Sequence, residues 1–216
     1  MRIETFSGGA FAENGYVAVC EETGATVVID PGASAGDMVV FLQAEDLTLE
    51  AVLLTHAHLD HVEGLATVID HAAVPIYLHP DDRSLYDAAP AQGAAFGISV
   101  PELPTPDREF AHGDTFAFGQ CELRVSHTPG HAPGHVILYS ASAGAAFVGD
   151  VVFAGSIGRT DLPGGDYQHL FASIREHVLT LPDETRLFTG HGPPTTVGHE
   201  RVANPFLIPH YGGELA

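Results

Sequence analysis

In the stretch THAHLDH, residues 55–61, the side chains of His56, His58, Asp60 and His61 crowd into six positions. Three imidazoles and a carboxylate at that density have little structural use, but they suit a divalent metal, for which neutral imidazole and carboxylate oxygen are common ligands. Three more candidates follow: His131 in TPGH, Asp150 in GD and His191 in GHG. A catalytic zinc takes about three protein ligands and keeps one position open, so seven groups exceed one ion and suit two. If one carboxylate is shared by two ions about 3.5–4 Å apart, each ion keeps histidines of its own and a hydroxide can lie between them. The chemistry this predicts is hydrolysis, with hydroxide made near neutral pH.

These groups are scattered along the chain, so rigid elements must bring them together. His56 follows the run AVLLT, His131 lies four residues beyond RVSH, Asp150 follows AAFVG and His191 follows RLFTG. Each stands just past the carboxyl end of an apolar strand, the edge where α/β sheets gather their ligands. Further strand-like runs are RIETF, GYVAVC, ATVVID, PIYLH, CELRVSH and HVILYS. Helices are expected over 34–45, opened by a Ser34–Asp37 capping box, near 61–71 and 80–87, and over 167–179, where Leu170, Ile174, Val178 and Leu181 keep helical spacing. Sheets packed together with helices outside fit this mixed order. Residues 88–107, rich in Pro, Gly and Ala, read as a long loop of the kind that forms a lid or binding loop. The end, NPFLIPHYGGELA, reads as a tail laid over the body.

With 216 residues and 45% hydrophobic content, the chain can bury one substantial core, and a single domain over 1–216 is expected. Its 28 acidic and 8 basic residues give a charge of −20, and all eight basic residues are arginines. Such a field repels a nucleic-acid backbone. No leader and no long apolar segment is evident, so no membrane partner is expected and the cytoplasm is the expected compartment. Cys20 and Cys121, each in an apolar run, read as small buried residues. Nothing in the sequence speaks to oligomeric state.

Several residues have weaker cases. Arg159, in a Gly-flanked loop after Asp150, is the expected positive charge on the substrate side, against the alternative of an ion pair with Asp161. His135 reads as a support for the ligands, and Asn14 and Tyr16 stand in ENGYV, where the superfamily named below, which the chain resembles, often brings an early loop near the metals. His71, His79, His112, His127, His169, His177, His199 and His210 read as surface, cap or core histidines. AGSIG at 154–158 is not a G-x-S-x-G elbow, which gives a serine hydrolase no support.

THAHLDH, TPGHAPGH, the GD at 149–150 and the GHG at 190–192 stand in the order of the metallo-β-lactamase fold superfamily, which the chain resembles over nearly its whole length. GSIGRTDLPGGD, TGHGPPTTVGHE and NPF look like the short, single-domain (type II) hydroxyacylglutathione hydrolases, glyoxalase II-like enzymes of bacteria. The resemblance implies an α/β fold, a four-layer αββα sandwich, with a dinuclear centre at one edge. It also implies that His56, His58 and His131 hold one metal, that Asp60, His61 and His191 hold the other, and that Asp150 bridges them. Zinc is the first expectation, with iron and manganese also open to such a ligand set. A metal-bridging hydroxide would attack a small-molecule thioester, with Asp60 as the catalytic residue that orients it as well as a ligand. The longer glyoxalase II enzymes grip glutathione with a basic C-terminal helical domain that is not expected here, so the thiol carrier and acyl group stay open. The alternatives are a mononuclear iron enzyme like the persulfide dioxygenases, which typically have a cysteine where His135 stands, and a non-hydrolytic metal-holding module. Lactam cleavage ranks lower, because an amide nitrogen must be protonated to leave.

Overall fold

The computed structural model describes residues 1–208; His210 and the rest of the expected tail lie outside the described residues. The first half runs β1 (Arg2–Gly8), β2 (Glu13–Val19), β3 (Ala25–Ile29), α1 (Ala35–Ala44), β4 (Thr48–Leu53), α2 (Leu59–Val62), α3 (Leu65–His71), β5 (Ile76–Leu78), α4 (Arg83–Phe96) and β6 (Arg108–Glu109). The second runs β7 (Thr115–Phe118), β8 (Cys121–His127), β9 (Val136–Ser140), β10 (Ala145–Gly149), β11 (Val152–Phe153), β12 (Ser156–Ile157), α5 (Tyr167–Ser173), β13 (Arg186–Thr189), β14 (Thr195–Thr196) and α6 (Val197–Ala203).

Two six-stranded sheets result, ordered β1-β2-β3-β4-β5-β6 and β14-β13-β10-β9-β8-β7. The first is antiparallel from β1 to β3 and parallel from β3 to β6. In the second only β10 and β13 run parallel. Alternation along the strands explains the layering. Tyr16, Ala18, Val27 and Ile29 meet Leu123, Leu138 and Phe147 between the sheets. Val17, Val19 and Val28 face the other way, onto Met38, Leu42, Leu65 and Val68 of the helices. On the far side, Ile137, Ala146 and Val148 pack against Leu170, Ile174 and Val178. The result is the expected helix–sheet–sheet–helix sandwich. Burial on both faces is why these strands read as continuous apolar runs.

Four expectations change. The Ser34–Asp37 capping box does not form; the Ser34 hydroxyl donates to the Phe6 carbonyl at 3.0 Å and ties α1 to β1 instead. The helix over 61–71 divides into α2 and α3 around Gly64, where a Cβ would lie 2.0 Å from the Gly32 carbonyl oxygen. Residues 88–96, read as loop, complete α4 with Pro90 inside it. Alanines at 88, 89, 91, 94 and 95 are strong helix formers, and packing of Leu85, Tyr86 and Ala89 into the core adds to them. The helix stops at Gly97 (φ +74°), where the Ile98 N–H closes onto the Gly93 carbonyl. The expected tail begins as a packed segment, since Leu207 lies in the core and Asn204 is buried with its amide donating to Ser156.

Candidate metal centre

His56, His131, Asp150 and His191 all leave strand ends, those of β4, β8, β10 and β13, and meet at one edge of the sandwich. His58 is the N-cap of α2, which carries Asp60 and His61 on its first turn. Donor atoms of His56, His58 and His131 lie within 4.8 Å of one another, as do those of Asp60, His61 and His191. Asp150 stands between the two groups. Its Oδ1 is 3.5 Å from His61 Nε2, and its Oδ2 is 3.4 Å from His131 Nε2 and 3.5 Å from His191 Nε2. His58 Nδ1 is 2.8 Å from His131 Nε2, and His191 Nε2 is 3.3 Å from Asp60 Oδ2. All seven residues singled out by the sequence are therefore brought together.

Hydrogen bonds around the periphery set which nitrogen faces inward. His131 Nδ1–H donates to the Arg159 carbonyl (2.8 Å) and His191 Nδ1–H to that of Phe11 (3.1 Å). His61 Nδ1–H donates to Asp30 Oδ2 (3.1 Å). His56 Nδ1–H donates to the Thr55 hydroxyl (3.1 Å), which itself donates to Asp30 Oδ2 (2.6 Å). In a neutral imidazole, a proton on Nδ1 leaves a lone pair on Nε2. As neutral rings, these four histidines would thus all turn Nε2 lone pairs toward one space.

That space fits a metal. Nε2 of His56 and His61 and Oδ1 of Asp150 are buried and, among the described residues, have no hydrogen-bond partner, while His58 turns Nδ1 toward the same group. Lone pairs and carboxylate oxygens that converge without a donor between them repel, and a cation satisfies them all at once. Gly190 keeps the space open, because a Cβ there would lie 2.1 Å from Asp150 Oδ1. Electrostatics divide the rings: burial pulls His61 down, but Asp150 and Asp30 outweigh it and hold it well above the usual histidine range. Burial keeps His56 and His131 below the usual histidine range and brings His58 to about 4, so these rings are neutral, the form that ligates. Burial pulls His191 down as well, but hydrogen bonds to Asp150 and Asp60 outweigh it and raise it to about 10, a protein proton supplying positive charge to the same carboxylates.

Several residues that hold the centre were not singled out by sequence. Asp30, just past β3 with φ +49°, accepts from the Thr55 N–H at 2.7 Å as well as from Thr55 Oγ1 and His61. Its signal was available, a carboxylate at the end of ATVVID on the same sheet edge. Asp82, fully buried, accepts from the Ala57 N–H at 2.9 Å and from the Gly134 N–H, and so joins the His56–His58 loop to the His131 loop. Glu13 is buried with its Oε1 3.8 Å from His61 Nδ1. His135 supports the ligands as expected: its Nε2 accepts the Asp150 N–H at 3.1 Å, and its ring stacks on His56. Asn14 donates to the carbonyls of Thr189 and Gly192, and the Tyr16 hydroxyl donates to Thr189 O at 2.6 Å. Both therefore fix the strand end from which His191 departs. His79 caps the turn at Pro80–Asp82 by accepting from the Asp81 N–H, and its ring stacks on His127 at 4.0 Å.

Above these side chains opens a cavity of about 430 Å³. His58, Asp60, His131, Asp150 and His191 form its floor, and Phe11, Leu59, Leu85, Phe96, Leu162 and Pro163 its walls. Arg159 lies at this cavity, but its guanidinium grips Asp161 through two hydrogen bonds of 2.7 and 2.8 Å.

The family model described as the metallo-beta-lactamase superfamily matches residues 8–191. The chain belongs to that superfamily. Within the metallo-beta-lactamase superfamily it is similar to the hydroxyacylglutathione hydrolase GloC of Haemophilus influenzae, 38% identical over 209 residues that cover 96% of this chain and 98% of that protein. Among solved structures it is similar to TTHA1623 in a di-iron-bound form, with 42% identity, a TM-score of 0.87 and coverage of 94% of this chain and 100% of that one. It is likewise similar to the BLEG-1 B3 metallo-beta-lactamase, with 38% identity, a TM-score of 0.89 and coverage of 95% and 99%.

Proposed function

We propose that this superfamily member is a dinuclear metal-dependent thioesterase of the hydroxyacylglutathione hydrolase type. In this reading His56, His58 and His131 hold one ion, Asp60, His61 and His191 hold the other, and Asp150 serves both. The observation that carries it is the set of inward lone pairs around Asp150 on the floor of an apolar cavity. End-to-end similarity to GloC supports the choice of a thioester. Zinc is the first candidate ion; iron follows, as TTHA1623 has been solved in a di-iron form, and manganese suits the same donors.

A pair of divalent ions supplies water acidified to a pKa of about 7 and positive charge opposite a developing oxyanion. The chain supplies the rest. Asp60, whose Oδ2 faces His191, presents its carboxylate at the cavity floor and accepts a hydrogen bond from the attacking water, which orients it. The apolar walls exclude bulk water and strengthen electrostatic interactions on the floor. A C–O bond forms from water, the C–S bond breaks, and a carboxylate, a thiol and one proton result. Thiols ionise near pKa 8.5, so the sulfur leaves without a dedicated acid. The lining agrees: apart from the proposed ligands, Arg159 is its only titratable side chain among the described residues, and it is paired with Asp161.

The substrate is thus a small molecule rather than a nucleic acid or membrane. Among the described residues no helix is long and apolar enough to cross a membrane. The two cysteines are unpaired, which supports the cytoplasm as the compartment.

BLEG-1 favours a second reading, lactam cleavage in the same cavity. Metal analysis combined with assays on S-D-lactoylglutathione, a chromogenic lactam, and glutathione persulfide with oxygen uptake separates these readings. Thioester turnover with two ions per chain is the expected result. Lactam turnover alone, or oxygen uptake with one iron per chain and no thioester turnover, overturns the proposal.

A further inference from the structure

Phe11 and Phe96 are 38% and 66% exposed. Exposed rings are ordinary singly, but these two meet edge to face, centroids 5.6 Å apart, over the proposed metal centre. Backbone contacts set the position of each. Phe11 lies between Gly9 (φ +74°) and Ala12 (φ +51°), and its carbonyl accepts the His191 Nδ1–H. Phe96 is the last residue of α4, held by the Gly97 cap. Leu59, Leu85, Leu162 and Pro163 extend the apolar wall, and among the described residues Gln92 is its one neutral hydrogen-bonding side chain.

The same wall offers little to an anion. No lysine exists in the chain, the lining arginine shares its charge with Asp161, and the overall charge is −20. A glutathione thioester brings two carboxylates and one ammonium, and its hydroxyacyl group is small and polar. An aromatic pair at a cavity wall gains from another flat apolar group placed against it, while a negative field repels a carrier of net negative charge.

We propose that the cavity selects thioesters of apolar, ring-sized acyl groups carried on an uncharged amide-bearing thiol, with Phe11 and Phe96 receiving the acyl group. The proposal rests on the thioesterase reading above. The acyl group lies along the Phe11–Phe96 wall with its carbonyl at the floor, and the carrier amide reaches Gln92. Atoms balance as in any thioester hydrolysis: water adds to the carbonyl, and the carboxylate, the thiol and one proton depart.

The test uses the full chain loaded with zinc and four substrates, phenylacetyl and D-lactoyl thioesters each on N-acetylcysteamine and on glutathione. The phenylacetyl N-acetylcysteamine thioester is expected to exceed D-lactoylglutathione in kcat/KM by at least about tenfold, the discrimination an apolar pocket gives for a small number of carbons. Phe96→Ala should lower the phenylacetyl-to-lactoyl ratio of kcat/KM about tenfold, and the melting temperature reports whether the variant still folds. Calorimetry with two stable thioethers, S-phenethyl-N-acetylcysteamine and S-phenethylglutathione, reads carrier preference without turnover, and the uncharged one should bind more tightly. If D-lactoylglutathione is the better substrate, if the ratio survives Phe96→Ala, or if the glutathione thioether binds better, this inference falls while the thioesterase reading stands. Hydrolysis of none of the four removes that reading and this inference with it.

Discussion

Asp30 turns two histidines toward the centre, His61 directly and His56 through the Thr55 hydroxyl, although it belongs to no recognisable motif. Outer partners of this kind fix ring orientation and basicity, and their loss typically weakens metal binding about 10–100-fold. Asp30→Asn is expected to do the same, measured by competition with a chromophoric chelator; undiminished affinity would remove the orienting role. His191→Ala should leave one ion largely in place and empty the other position, as read by metal analysis, whereas loss of both ions would mean that the two positions cannot be separated. The seven ligand-type residues were legible because four are neighbours in one short stretch and the other three stand at strand ends. Asp82 was not, because what gives it meaning is the fold that brings Ala57 and Gly134 to its two oxygens.

Helix α4 carries the element with the clearest conflict between propensity and context. Pro90 has no N–H to donate within the helix, which disfavours a helix interior by about 3 kcal/mol relative to alanine. Pro90→Ala should therefore stabilise the protein, by about 1–3 kcal/mol after relaxation, as a higher urea midpoint at unchanged slope. An unchanged midpoint would mean that the backbone has already adapted fully to the ring. At the end of β10 the opposite holds. Gly149 has φ +44°, and a Cβ there would lie 2.5 Å from Thr55 Oγ1 and 2.7 Å from His135 Nε2. Gly149→Ala should cost about 1–3 kcal/mol through backbone strain, and metal content should fall with it, since Asp150 follows directly. Strands β2, β3 and β10 could be read from sequence because both their faces are buried. Two-residue strands such as β6, β11, β12 and β14 are too short to show a period, and only the second part of α4, residues 88–96, read as loop, because its proline and glycine outweighed its alanines.

Charge and connectivity act on the molecule as a whole. A net charge of −20 makes the compact state repel itself, and salt screens that repulsion over about 10 Å at 0.1 M. The melting temperature should rise as sodium chloride goes from roughly 10 to 300 mM; a fall would point to ion pairs as the dominant surface term. Chelation should lower it, because ions that bind only the folded chain stabilise it by mass action. Each ligand group also draws on both sheets. His56 and His58 come from the edge of the first and His131 from the second, and likewise Asp60 and His61 against His191. Cut the backbone between α4 and β6, and neither fragment holds a finished ligand set. Two such fragments mixed with zinc should reassemble and part again when the ion is withdrawn, so that the centre works as a removable clasp between the halves of one chain.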